Sequence, residues 1–125
     1  MFIFDLQTAI HAAIKADTRI TEDVFNFVPE NVSGIYIVIG DGLEVPHNTK
    51  TFQQSDITTY THVWGDGTDK PRIQVVMGYL WEDLAKTLET VDQEYRLHRV
   101  ESAEVKNESP DLVRGTITIT HTVVE

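Results

Sequence analysis

Residues 112–124 read LVRGTITITHTVV, and this stretch decides the fold. Val113, Ile117, Ile119 and Val123 alternate with Thr116, Thr118, Thr120 and Thr122. A period of two belongs to a β-strand with one apolar and one polar face. A strand so patterned needs strand neighbours on its edges and a helical layer over its apolar side. Residues 55–64 supply a partner of the same texture, with Ile57, Thr59, Thr61 and Val63 on one side. Thr58, Tyr60, His62 and Trp64 line the other.

Residues 95–106 fit less simply, because Leu97, Val100, Ala103 and Val105 break the alternation. The mixed pattern is best reconciled by a β-bulge near Val100, since an extra residue resets the side-chain phase. Residues 107–111 then make the turn into the final strand. Further upstream, residues 35–39 lie between Gly34 and Gly40 and are apolar at nearly every position, which predicts a central strand buried on both faces. Residues 41–54 turn polar around Gly42, Pro46 and Asn48 and read as a long hairpin arm or a flexible loop.

Two segments have helical period. Over 4–17, Leu6, Ala9, Ile10, Ala13 and Ile14 share a face, and Asp5 is placed to cap the N-terminus. The run GDGTDKP at 65–71 is a turn leading into a second helix, with Asp69 as N-cap and Pro71 in the first turn. That helix is expected to reach about Leu88 on the stripe Ile73, Val76, Met77, Leu80, Leu84 and Leu88. Gly78 costs about 1 kcal/mol against Ala at mid-helix, which points to close packing against a strand there. Residues 18–33 are a connector whose Phe25, Phe27 and Val28 are expected to tuck against the core. The predicted order is αββαββ over a single domain, 1–125. It is an α+β fold with two helices packed on one face of a four-stranded, mainly antiparallel sheet.

Chemistry is sparse. The chain has no cysteine, which removes disulfides and thiolate metal sites. His11, His47, His62, His98 and His121 are scattered with no ligand spacing, so no metal is expected. The segment WGDGTD at 64–69 lacks the regular oxygen ligands and closing Glu of a calcium loop. Neither a phosphate-binding glycine loop nor a nucleophile elbow is present, and no cofactor is expected. Glu22–Asp23 and Glu82–Asp83 are adjacent in sequence and diverge on a helix. The formal charge of −10 opposes a nucleic-acid-gripping surface, which needs clustered Lys and Arg. Apolar runs are only a few residues long and MFIFDLQ carries no basic leader, so no membrane partner is expected.

The order and texture of the segments resemble the tail completion proteins of long-tailed bacteriophages, the family that includes tail terminators and head-to-tail joining proteins. The resemblance runs from Phe4 to Val124. It is carried by DLQTAIHAAIKAD, the Val28–Glu30 approach, GIYIVIG at 34–40, THVWGDG at 61–67, LWEDLAKTLE and the closing VESAEVKNESPDLVRGTITITHTVV. It implies a non-enzymatic virion protein at the neck, made in the bacterial host cytoplasm and assembled as a homo-hexameric ring. The ring caps the tail tube protein, ends tube growth and meets the head connector or stopper, while DNA passes through its channel unbound. Six copies at −10 each carry about −60, and a negative channel lets DNA slide.

Ring contacts are expected along the arm, at Val45, His47, Lys50 and Phe52, and on the final strand, at Thr116, Thr118, Thr120 and Thr122. Alternatives are another neck protein, such as a head-side stopper, a monomeric binding module, or a small enzyme with a site built from His62, His121 and Asp56.

Overall fold

The structure is a computed structural model and describes residues 1–48 and 53–124. Helix α1 spans Ile3–Ala16 and is followed by a three-residue strand β1, Asp23–Phe25. Strands β2 (Tyr36–Asn48) and β3 (Gln53–Gly65) form a long antiparallel pair. A single 3-10 turn, Gly67–Asp69, leads into α2, Lys70–Leu84. Strands β4 (Leu88–Glu89), β5 (Glu94–Ser109) and β6 (Leu112–Val124) complete the chain.

The sheet has six strands in the order β1-β2-β3-β6-β5-β4, and β1 runs parallel to β2 while the other pairs are antiparallel. This overturns the expected four-stranded sheet with two helices laid on one face. The sheet is mixed and curls into a half-barrel around its helices. The extra strands are three and two residues long, too short to display a period. The curl is enforced by α1. In one turn of helix, Gln7 Nε2 donates to the Gly40 carbonyl of β2 at 3.0 Å, while Asp5 accepts from Tyr95 Oη of β5 at 2.6 Å. A flat sheet would hold β2 and β5 about 14 Å apart, with two strands between them.

Asp5 is therefore not a helix cap. The N-cap position is Phe2, which makes no side-chain cap, and the Asp5 carboxylate is spent on Tyr95 and on Thr90 Oγ1 at 2.6 Å. Burial and the neighbouring Asp5 carboxylate push the Tyr95 phenol above its ordinary range, so it remains a donor. Asp69 occupies the N-cap position of α2 without a side-chain cap there; its Oδ2 accepts from Asp66 N–H at 2.9 Å in the preceding 3-10 turn. Helix α2 also stops earlier than its stripe suggests, and Leu88 is buried from β4 instead. Phe27 and Val28 do not tuck in: they are 66% and 67% exposed.

The long strands follow their sequence pattern. Ile57 and Val63 of β3, and Val113, Ile117, Ile119 and Val123 of β6, meet Ile73, Val76, Met77, Leu80 and Leu84 of α2 in one core. Leu6, Ile10 and Ile14 of α1 close it from the side of β2. Register shifts fall on both sides of Val100, between Leu97 and Arg99 and between Val100 and Ser102. These bulges keep Leu97, Val100, Ala103 and Val105 opposite His121, Ile119, Ile117 and Gly115, on the helix-facing side.

Close helix–strand contact is made at Gly115, not at Gly78. A methyl group on Gly115 would sit 2.8 Å from Met77 Sδ, whereas one on Gly78 would meet nothing within 4 Å. Gly78→Ala is expected to raise unfolding free energy by roughly 0.5–1 kcal/mol, and Gly115→Ala to lower it by about 1–3 kcal/mol. Urea denaturation of the two variants measures both, and a reversal of either sign would refute this packing.

Candidate functional site

The histidines and carboxylates that an enzyme would need do not converge. His62 pairs in register with Thr116 and belongs to the outer face of the sheet, away from the helices. His121 pairs with Ile57 on the inner face, five rows along. Asp56 shares the outer face with His62 but spends its Oδ1 on Thr122 Oγ1 at 2.8 Å, and its Oδ2 lies 3.1 Å from His47 Nε2. Among the described residues no group of three His, Asp or Glu side chains is arranged to hold a metal ion.

His121 has a structural task that sequence spacing did not reveal. It is fully buried, and its Nε2 lies 3.1 Å from both the Leu84 and the Lys86 carbonyls. Those carbonyls belong to the last residue of α2 and the segment just after it and can only accept, so Nε2 carries the proton and supplies one donor shared between them. Burial lowers the His121 pKa, with the two carbonyls opposing in part.

The outer face is a polar surface built from the even-numbered residues of β3 and β6. Thr58 and Thr120 hydroxyls are 2.8 Å apart, and Thr120 donates to Glu101 Oε1 at 2.8 Å. His62 Nδ1 is 2.9 Å from Thr116 Oγ1, and the Arg114 guanidinium lies 5.6 Å from the Trp64 ring centre. Burial, then the Arg114 charge, lowers the His62 pKa, while Asp41 acts against them. Thr116, Thr118 and Thr120 are buried although no helix covers them, because longer side chains on the neighbouring strands shield a flat threonine row.

Of the eight residues singled out for assembly contacts, the structure brings two groups onto this face. Thr116, Thr118, Thr120 and Thr122 line its centre, and Val45 and His47 lie across β3 from them, opposite Asp56 and Gln54. Lys50 and Phe52 lie outside the described residues. Strand β6 has β3 on one edge and β5 on the other, so its backbone is already paired. A partner reaches it only through side chains.

Unpaired backbone is found elsewhere. Among the described residues, β2 pairs on its outward edge only over 36–38, and β5 only at Glu94 and Tyr95. Exposed apolar side chains gather near both edges: Phe4, Phe27 and Val28 beside β2, and Trp81 beside β5. The expectation of a tucked-in connector hid the first group. The second was hidden because Trp81 lies off the apolar stripe of α2.

No protein-family model and no curated protein matches this chain. Among solved structures, it is similar to a chain of a structure described as the virion of a native gene transfer agent (GTA) particle. The two share 17% identity and superpose with a TM-score of 0.81 over 96% of this chain and 95% of that one. At that identity the likeness speaks for the fold.

The histidines make stability pH-dependent. His121 and His62 titrate below the ordinary 6.5 when folded, so the unfolded chain binds more protons and stability falls as pH drops below about 6.5. Asp83 opposes this: burial, with Asp17 beside it, raises its pKa to about 6, so its contribution is lost as pH rises from about 4 to 6. His121→Gln is expected to lower stability at pH 7.5 by about 1–3 kcal/mol and to flatten the loss on going to pH 5.5. Urea midpoints at the two pH values check this, and an unchanged slope would remove His121 as the titrating group.

Proposed function

We infer that the chain is a structural subunit of a phage-like particle. Within that particle it caps the tail tube, ends tube growth and joins the tail to the head connector as a ring. The observation that carries this reading is the superposition along nearly the whole of both chains on a component of a GTA virion structure. The resemblance of the segment order to tail completion proteins supplies the finer assignment to the neck.

Charge and surface chemistry agree with a channel-forming subunit. The chain carries −10, and six copies would carry about −60, a charge that repels a passing DNA backbone. The polar outer sheet face, with Val45 and His47 at its rim, is offered to another virion protein, the tail tube or the head connector. The hydroxyls of Thr58, Thr116, Thr120 and Thr122 are held in cross-strand hydrogen bonds, so the face presents a fixed pattern of donors and acceptors. No catalytic role is assigned to His62, His121 or Asp56, which do not meet.

Deletion of the gene from the particle-producing genome, followed by negative-stain electron microscopy, tests the proposal. Full heads beside unattached tails of irregular excess length are expected. Heads that lose their DNA beside tails of normal length would move the chain to a head-side stopper. Normal joined particles would defeat both assignments.

A further inference from the structure

Strand β4 shows what the open edge of β5 accepts. Its two residues pair antiparallel with Glu94 and Tyr95, and Leu88 is buried beneath the sheet while Glu89 is exposed. From Arg96 onward no strand lies beside this edge among the described residues, so its backbone groups on that side stand free. Next to the free edge runs a groove of about 440 Å³ between α2 and β5. Gly78 and Trp81 form one wall, and Ala103 and Val105 form the other. Trp81 is 47% exposed, and a methyl group on Gly78 would meet nothing within 4 Å, so the groove is open. A strand added beside β5, in line with β4, would send every second side chain over these apolar walls.

Charge decides what kind of segment fits. Glu82 of α2 and Glu104 of β5 also line the groove, and among the described residues no Lys or Arg does. Arg96, Arg99 and Lys106 pair in register with Thr122, Thr120 and Arg114 and so belong to the outer face of the sheet. Glu82 holds Arg19 through Oε2 at 2.7 Å, but both side chains are exposed, so the pairing is worth little and is readily shared. A cation over the groove would therefore meet two carboxylates and the half-exposed Trp81 ring. A second copy does not supply that cation from its own free edge, β2. Residues 20–48, which contain β2, hold Glu22, Asp23, Glu30, Asp41 and Glu44 and no Lys or Arg.

We propose that the α2–β5 groove binds an extended segment of a different protein, which joins the sheet as a further strand beside β5. The segment is apolar at alternate positions, facing Gly78, Trp81 and Val105, and carries Lys or Arg for Glu82 and Glu104. Backbone pairing supplies affinity, and the groove supplies selectivity. An unstructured segment loses entropy as it pairs, so binding is weak unless several rows are made. This goes beyond the neck reading above and does not depend on it.

The probe is a fluorescein-labelled peptide of sequence VKVKVKV, with VEVEVEV as its acidic counterpart. Anisotropy titration with the purified chain is expected to saturate for VKVKVKV, while VEVEVEV binds about tenfold more weakly or worse. N-methylating alternate backbone amides of the peptide separates strand pairing from charge alone. One set of amides faces β5 and its methylation abolishes binding, whereas methylating the other set preserves it. Gly78→Leu fills the groove, and the double variant Glu82→Lys, Glu104→Lys reverses its charge. Each is expected to weaken binding about tenfold or more. All three positions are exposed, so the urea midpoint does not fall. No saturation below about 1 mM, equal binding of the acidic peptide, or equal binding of the two N-methylated forms overturns the proposal. So does an oligomer of the free chain that Gly78→Leu dissociates, since the occupant is then a second copy. Because this experiment uses the purified chain, its failure leaves the particle-imaging test untouched, and the converse holds.

Discussion

The hydrogen bonds made by the first two turns of α1 shape the rest of the molecule. Gln7 holds β2 through the Gly40 carbonyl, and the Phe2 N–H donates to Glu44 of the same strand at 2.8 Å. Asp5 holds Tyr95 at the start of β5 and Thr90 beside β4. Strands β3 and β6 lie between these attachment points, so the sheet has to wrap the helix. Its wrapped side becomes a core in which Leu6, Ile10 and Ile14 meet Ile37 and Ile39. A partly buried carboxylate bonded to two hydroxyls is costly to leave unpaired, so this point also fixes the register of α1 against the strands.

Wrapping gives the two sheet faces different work. The inner face is mainly apolar, with Thr59 and Thr61 buried in it and His121 satisfying the end of α2, and a helix terminus buried without donors would be destabilising. The outer face has no helix on it and is closed by its own cross-strand hydrogen bonds. Strand β6 serves both faces because it is central, and its threonine row is therefore a shielded surface with no free backbone. Free backbone is displaced to β2 and β5, and both carry exposed apolar neighbours.

Polar groups are divided between the helix side and the strands. One group of ion pairs, Arg19 with Asp17 and Glu82 and Arg72 with Glu22, surrounds the Tyr79 ring. They tie the connector after α1 to α2. The acidic excess is left on the surface, where mutual repulsion keeps copies apart unless a specific contact outweighs it.

By itself the sequence determined the long elements. The alternation in β3 and β6, the apolar stripe of α2 and the bulged row of β5 are local periodicities, and each reappears in the structure on the face it implies. The tertiary structure alone decided what depends on distant partners. Strands β1 and β4 exist because β2 and β5 offer them edges, since three and two residues carry no period of their own. Asp5 looked like a cap because its bond to Tyr95 spans 90 residues, and Gly78 looked packed because Gly115 was the glycine actually pressed against Met77. The exposed Phe27 and Val28 and the open groove beside Trp81 were hidden for the same reason. Whether an apolar side chain is covered depends on how far the sheet curls, and that is settled by contacts between residues far apart in the chain.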